Sequence, residues 1–201
     1  KGFLKDVPFD VRVLTNLNSK HNLEQYTEEE YVELKKSFFR NIDDECKCVF
    51  GFQDYSKELL EELLQLNNYP KYICSSNYIA TLKGVNKEQI TCLLTGLDSE
   101  ISGMKLQFKL NDEVFNLNTN LMMSYNALNV LTAITTLEAL SVFNNTKFEE
   151  ALNNLVIPGR AEVFKEKGKI IIVDAHLPAM LECLKTLKEQ GKVNKIKIVI
   201  G

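Results

Sequence analysis

The sequence predicts an α/β fold, and three features carry that prediction. Short apolar runs alternate with amphipathic stretches along most of the chain. Residues 169–173, 178–190 and 195–200 read as strand, helix and strand within about thirty residues, a βαβ unit whose strands should be parallel. The chain has 201 residues, 45% of them hydrophobic and 25% charged, the make-up of an ordinary globular protein. That length can bury most of its apolar surface without disulfides or a metal.

The elements follow in order. Residues 11–14 (Val-Arg-Val-Leu) form a short strand. Thr27 and Glu30 have capping-box spacing, so a helix starts there, with Tyr31, Leu34, Phe38 and Phe39 as its apolar stripe. Residues 46–52 are a second strand, 57–66 a Leu-rich helix, 71–74 a short strand and 89–94 another. Residues 104–110 and 113–118 flank Asn111-Asp112 and read as a hairpin. A long helix covers 125–142, and a shorter one covers 147–155, where Thr146 and Glu149 repeat the capping-box spacing. Val156-Ile157-Pro158-Gly159 breaks the pattern and sets a boundary, giving domains 1–155 and 156–201. Beyond it, 161–164 and 169–173 are strands joined by a Lys-Glu-Lys-Gly turn, and Pro178 opens the last helix.

Composition excludes several classes. A net charge of −3 argues against a nucleic-acid surface, which wants a basic stripe. No apolar run reaches the roughly 20 residues that span a bilayer, and residues 1–10 do not read as a signal peptide. The five cysteines lack a framework spacing and read as reduced thiols of a cytoplasmic protein. Cys46 and Cys48 share one face of a strand, but no further zinc ligands lie at suitable spacing. With two histidines in the whole chain, any mechanism has little imidazole to use.

Several residues stand where chemistry could occur. Asp174 and His176 follow the carboxyl end of a strand and precede a helix, the crevice where open α/β sheets bind ligands; Asp174 could equally cap that helix. His21 lies between a strand end and a capped helix and could ligate a metal, or be a loop histidine. Lys35 borders the buried stripe, as a snorkelling lysine or as a partly buried functional amine. Arg160 follows Pro-Gly at the junction, where a guanidinium could clamp phosphate. Asn126 and Asn129 lie on one face near the start of the long helix, able to bond a base edge or ribose, or to cap the helix. The phosphate loop G-x-x-x-x-G-K-[ST] does not occur.

These segments together resemble the Mur ligases. Val7-Pro-Phe-Asp-Val-Arg-Val-Leu-Thr-Asn-Leu17 is similar to the family's "pFDVAVFTNL", and residues 20–39 follow "DHLDYHGTMEEYxxAKxxLF" without a gap. Residues 121–134 resemble "LpGxFNvyNalAAi", 156–162 "gVPGRmE", 172–178 "VDYAHTP" and 197–201 the strand "iivVFG". The resemblance runs over residues 7–201 in order and is nearest the branch that adds the third residue of the peptidoglycan stem. It implies the later part of an ATP-binding central domain followed by the first βαβ of a Rossmann-like C-terminal domain. It further implies His21 as a Mg²⁺ ligand and Lys35 as a carbamylated lysine serving metal and phosphate. Asn126, Asn129, Arg160, Asp174 and His176 fall on its nucleotide side.

By the same resemblance, ATP and Mg²⁺ are the cofactors. The partners are a UDP-N-acetylmuramoyl-peptide and an amino acid, joined through an acyl phosphate. The family's P-loop lies upstream of the matched part and its amino-acid-binding segment downstream, so this chain alone is expected to be inactive. Inside the matched part, Lys20 and Leu23 replace the acids of "DHLD", residues 51–54 replace "NADD", and "VDYAHTP" loses its Tyr. A lysine beside a cation site weakens it by Coulomb repulsion. The alternative is a degenerate, non-catalytic homologue acting as a nucleotide- or protein-binding module. A weaker one is an unrelated α/β nucleotide-binding module.

Overall fold

A computed structural model of the chain describes residues 7–17, 26–40, 46–100, 102–159, 162–167 and 169–174, with residues 181, 184, 185 and 188. His21, Arg160 and His176 lie outside these, as do Lys20, Leu23 and the expected strand 195–200.

The chain opens with β1 (Val11–Leu14), α1 (Glu28–Ser37), β2 (Lys47–Gly51), α2 (Lys57–Gln65), β3 (Lys71–Ser76) and α3 (Asn77–Leu82). A single 3₁₀ turn (Lys87–Gln89) leads into β4 (Cys92–Glu100), β5 (Gly103–Leu110) and β6 (Glu113–Thr119). Then come α4 (Ser124–Ala139), α5 (Asn145–Asn153), β7 (Glu162–Glu166) and β8 (Lys169–Val173). β1 to β6 form one six-stranded sheet in sequence order, and β7–β8 a separate antiparallel pair. β1, β2, β3 and β4 pair in parallel, each joined to the next through a helical segment. β5 and β6 are joined by Asn111 (φ 46) and Asp112 (φ 76), the left-handed pair of a two-residue hairpin turn.

The chain divides into two compact units. The first contains β1–β3, α1–α3, the near ends of β4–β6 and most of α4. β2 is buried along almost its whole length, as a parallel strand covered on both faces must be. Cys48, Phe50, Leu60, Leu63, Ile73 and Phe39 join one cluster. α1 begins on a complete capping box: Thr27 accepts from the Glu30 amide at 3.2 Å, and Glu30 accepts from the Thr27 amide at 2.8 Å. Its first turn is acidic and its last basic, which suits the helix dipole. Tyr31 and Phe39 are buried as the apolar stripe requires, but Leu34 is 47% exposed. The helix stops at Ser37, so Phe38 and Phe39 turn inward from its cap instead of extending a continuous stripe. Arg12 Nη1 bonds the Phe38 carbonyl, and its guanidinium lies over the Phe9 and Phe38 rings at 5.3 and 4.9 Å. Lys47 Nζ likewise meets the last carbonyl of α4, on Ala139, at 2.5 Å.

The second unit holds the far ends of β4–β6, the entrance to α4, α5 and the β7–β8 hairpin. β4 runs to Glu100, well beyond the expected 94, because β5 turns back beside it at Gly103. There φ is 137° and a Cβ would fall 2.0 Å from the Thr119 carbonyl oxygen, so only glycine fits. α5 starts at Asn145, one residue ahead of Thr146, and Glu149 does not close a capping box. Its carboxylate instead accepts from the Asn118 amide and from Asn118 Nδ2, both at 2.9 Å, sealing part of the β6 edge.

Gly51 ends β2 in the first unit, where a Cβ would lie 2.7 Å from the Thr15 carbonyl oxygen and 3.1 Å from Thr132 Oγ1. Gly51→Ala is therefore expected to cost about 1–3 kcal/mol, read as a lower urea midpoint at unchanged slope.

Candidate functional site

The parallel strands β1, β2 and β3 all end on one side of the first unit, at Leu14, Gly51 and Ser76. That is where α/β sheets place ligands. β1 and β2 keep ladder register as far as Leu14↔Phe50 and then part. Side chains take over from the ladder. The Leu17 amide donates to Asp54 Oδ1 at 3.0 Å, and Gln53 Nε2 donates to the Thr15 carbonyl at 2.6 Å. Ser75, fully buried, donates from Oγ to the Phe52 carbonyl at 2.8 Å. Beneath this edge the Tyr55 phenol is pushed well above its usual range by burial, with the nearby Cys74 and Asp54 adding to it. Sequence reasoning noted residues 51–54 only as a departure from a motif. The signal that finds them is their place directly after a parallel strand.

Lys35 lies on α1, half-buried, with Nζ 5.4 Å from the centre of the Tyr31 ring. Its neighbour Lys36 carries the ion pairs, to Glu33 at 3.1 Å and Glu62 at 2.5 Å, and these hold its ammonium pKa up. Among the described residues no group of three His, Cys, Asp or Glu side chains stands close enough to hold a metal ion.

The second unit brings two predicted segments together. Met122 and Met123 are buried with Tyr125, Val163 and Ile172 around them, so the β7–β8 hairpin packs on the entrance to α4. At its end Asp174, half-buried, receives the Tyr125 hydroxyl at 3.4 Å across 49 residues of chain. Asn126 is 3% exposed, and its Nδ2 donates to the Met122 carbonyl at 2.6 Å while its own amide donates to Met123. Those bonds hold Met123 at φ 76, a left-handed conformation costly for an L side chain. Asn129, three residues on, is exposed. Tyr125 is the contact that sequence reasoning missed, because its partner is distant in the chain.

Residues 1–137 match the family model described as the Mur ligase middle domain. The chain belongs to the Mur ligase family. Two curated relatives carry the name UDP-N-acetylmuramoyl-L-alanyl-D-glutamate--2,6-diaminopimelate ligase. The one from Geobacillus thermodenitrificans is 28% identical over 208 residues, covering 100% of this chain and 40% of the relative. The one from Vibrio vulnificus is 26% identical over 193 residues, covering 90% and 35%. The chain thus spans little more than a third of the length of these Mur ligases. A MurF ligase from Thermotoga maritima, solved with ADP, superposes with a TM-score of 0.69 at 20% identity, covering 92% of this chain and 40% of that one. At that identity the likeness speaks for the fold alone, which is the mixed α/β layout of the Mur ligase central domain.

The Cys46–Cys48 pair considered for zinc is a pair of buried thiols, and Cys74 and Cys92, register partners on β3 and β4, are buried too. Cys48 is pushed up from 9.0 to about 11, chiefly by burial and then by Cys46, against a smaller pull from Lys71 and Arg12. Burial also raises Cys74 and Cys92. Above pH 9 the unfolded chain loses thiol protons that the folded one retains, so stability falls as pH rises through the window from 9.0 to about 11. Unfolding free energies from urea titrations at pH about 8 to about 11 should drop, by up to about 1.4 kcal/mol per pH unit for each such thiol.

Proposed function

We propose that this chain is the nucleotide-handling part of an ATP-dependent Mur ligase, which joins an amino acid to a UDP-N-acetylmuramoyl-peptide in the cytoplasm. The observation that carries the reading is the convergence of Asp174 with the entrance to α4. Two motif segments that resemble the family's nucleotide side meet there although 49 residues separate them. Residues 1–155 would be central domain and 156–201 the start of the C-terminal domain.

The chain's own residues suit a nucleotide. A half-buried carboxylate past a strand end accepts from ribose hydroxyls. Asn126, buried and bonded to the Met122 carbonyl, serves that side by holding the helix entrance in place. Arg160 and His176 would complete that side, and Arg160 supplies the planar fork that grips phosphate. Mg²⁺, when bound, would neutralise charge on the phosphoryl group being transferred. Lys35 and His21 are its candidate holders by resemblance. The described residues contain no assembled ligand set, so no step is routed through the metal.

One observation favours a second reading, a non-catalytic nucleotide-binding homologue. The Lys35 ammonium rests on the Tyr31 ring, a contact that suits a cation. A carbamate there would set an anion against the negative ring face. Calorimetry with Mg²⁺–ATP tests the shared part of both readings. Binding is expected, and Asp174→Ala should weaken it about tenfold, the worth of a hydrogen bond to a charged group. Phosphate release assays on a longer protein that carries the family's upstream phosphate loop then separate the two: turnover would favour the ligase, and binding without turnover the module. No heat with the native chain would overturn both.

A further inference from the structure

We propose that Asp54 is a positioning residue, whose carboxylate fixes the loop leaving β1 as a preformed rim at the carboxyl edge of the parallel sheet. The ligand class, the phosphate end of a Mg²⁺-bound nucleotide, rests on the function proposed above. The positioning itself rests on geometry.

β1 and β2 are paired through Leu14↔Phe50, and at the next residue the ladder stops. Gly51 brings its Cα against the Thr15 carbonyl so closely that no side chain fits between them. Two backbone groups of the departing loop would there lose strand partners, the Thr15 carbonyl and the Leu17 amide. Consecutive side chains of the facing loop serve them in complementary fashion. Gln53 Nε2 donates to the carbonyl at 2.6 Å, and Asp54 Oδ1 accepts from the amide at 3.0 Å. The facing loop is itself anchored, since Ser75 Oγ holds the Phe52 carbonyl at 2.8 Å. Lys83 holds the Tyr55 carbonyl at 2.5 Å with its ammonium over the Phe52 ring.

The bracket is therefore rigid on the β2 side and grips the β1 side at two points. What it holds in place is exposed: Thr15 is open to solvent and Asn16 half-buried, with Asn16 Nδ2 3.4 Å from Thr15 Oγ1. Leu17 itself is buried in the core, and the charge-assisted bond to its amide adds the directional hold on the exposed residues before it that apolar packing does not supply. Asp54 is itself exposed, so its contribution to the core is small, and its reach is to a residue 37 positions away. A site held on polar groups at the end of a sheet needs this kind of support for its geometry.

The test uses the 201-residue chain with Asp54→Ala and Asp54→Asn. Amide hydrogen exchange reads the loop at Leu17, and calorimetry with Mg²⁺–inorganic triphosphate reads the rim. In Asp54→Ala, Leu17 should exchange about tenfold faster, with Val13 and Val49 unchanged, and triphosphate affinity should fall about tenfold, each the size of one lost charge-assisted bond. Asp54→Asn, whose amide oxygen accepts the same bond, should restore both to within about threefold. Unchanged Leu17 exchange in Asp54→Ala overturns the proposal. So does a loss of affinity in Asp54→Asn with Leu17 still protected, which would make the carboxylate itself a ligand contact. Faster exchange with unaltered triphosphate affinity overturns the role in the site. If the native chain binds neither triphosphate nor Mg²⁺–ATP, the nucleotide reading fails, and Leu17 exchange alone decides whether Asp54 positions the loop.

Discussion

Everything in the first unit depends on how closely the end of β2 approaches the exit of β1. At Gly51 the absent side chain leaves room for the Thr15 and Leu14 carbonyls on one side and Thr132 Oγ1 on the other. A parallel strand between two layers has no spare depth, because both faces are packed at crystal-like density. Any Cβ at that point would push apart β1, β2 and α4 together. The same closeness ends the β1–β2 ladder and makes the handover to Gln53 and Asp54 necessary. Packing and site geometry therefore share one cause.

Around that contact the sheet is arranged by a simple rule. Its strands follow sequence order, so each parallel neighbour is reached through one helical crossover and the last strands by tight reversals. The reversals need special backbone. Asn111 and Asp112 supply left-handed conformations at one, and Gly103 accepts a carbonyl contact beside the other. Cationic side chains close the helix ends. Arg12 meets the carbonyl at the α1 cap and Lys47 the last carbonyl of α4. Each satisfies an acceptor that the helix leaves open and lies at the negative end of its dipole.

Much of this was legible in the sequence, and the failures have identifiable causes. Whereas the parallel partner expected for 169–173, at 195–200, lies outside the described residues, the α/β class, the Thr27 capping box and the Asn111-Asp112 hairpin were visible because each rests on local patterning along the chain. The continuation of β4 to Glu100 was not, since its far half is polar and earns its strand form from pairing with β5. α3 was missed for a similar reason: at six residues, with Tyr78 and Leu82 exposed, it has no buried stripe to betray it. The stripe Tyr31, Leu34, Phe38 and Phe39 misled because α1 ends at Ser37: Phe38 and Phe39 pack from beyond its end, and Leu34, inside it, is exposed. Glu149 misled because a capping-box spacing also suits a carboxylate that reaches across to another strand. Asn126 and Asp174 could be singled out from their segments as residues worth locating, and the structure places them near the α4 entrance. Tyr125 and the Asp54 bracket could not, because they are contacts across 49 and 37 residues.

The entrance to α4 shows how one buried polar residue can hold a strained backbone. Met123 sits in a left-handed conformation without being glycine, and a flexible entrance would relax it. Asn126 prevents this from two directions, its backbone amide on Met123 and its side-chain amide on Met122. The hairpin adds a third restraint by packing Val163 and Ile172 on the two methionines. An asparagine so bound has surrendered its rotational freedom to the fold before any ligand arrives. The strain at Met123 is thus balanced by the fixed orientation of the group next to Tyr125 and Asp174. A side chain that could not bond Met122 would lose that orientation even if its shape were right, so the amide at position 126 serves the helix entrance.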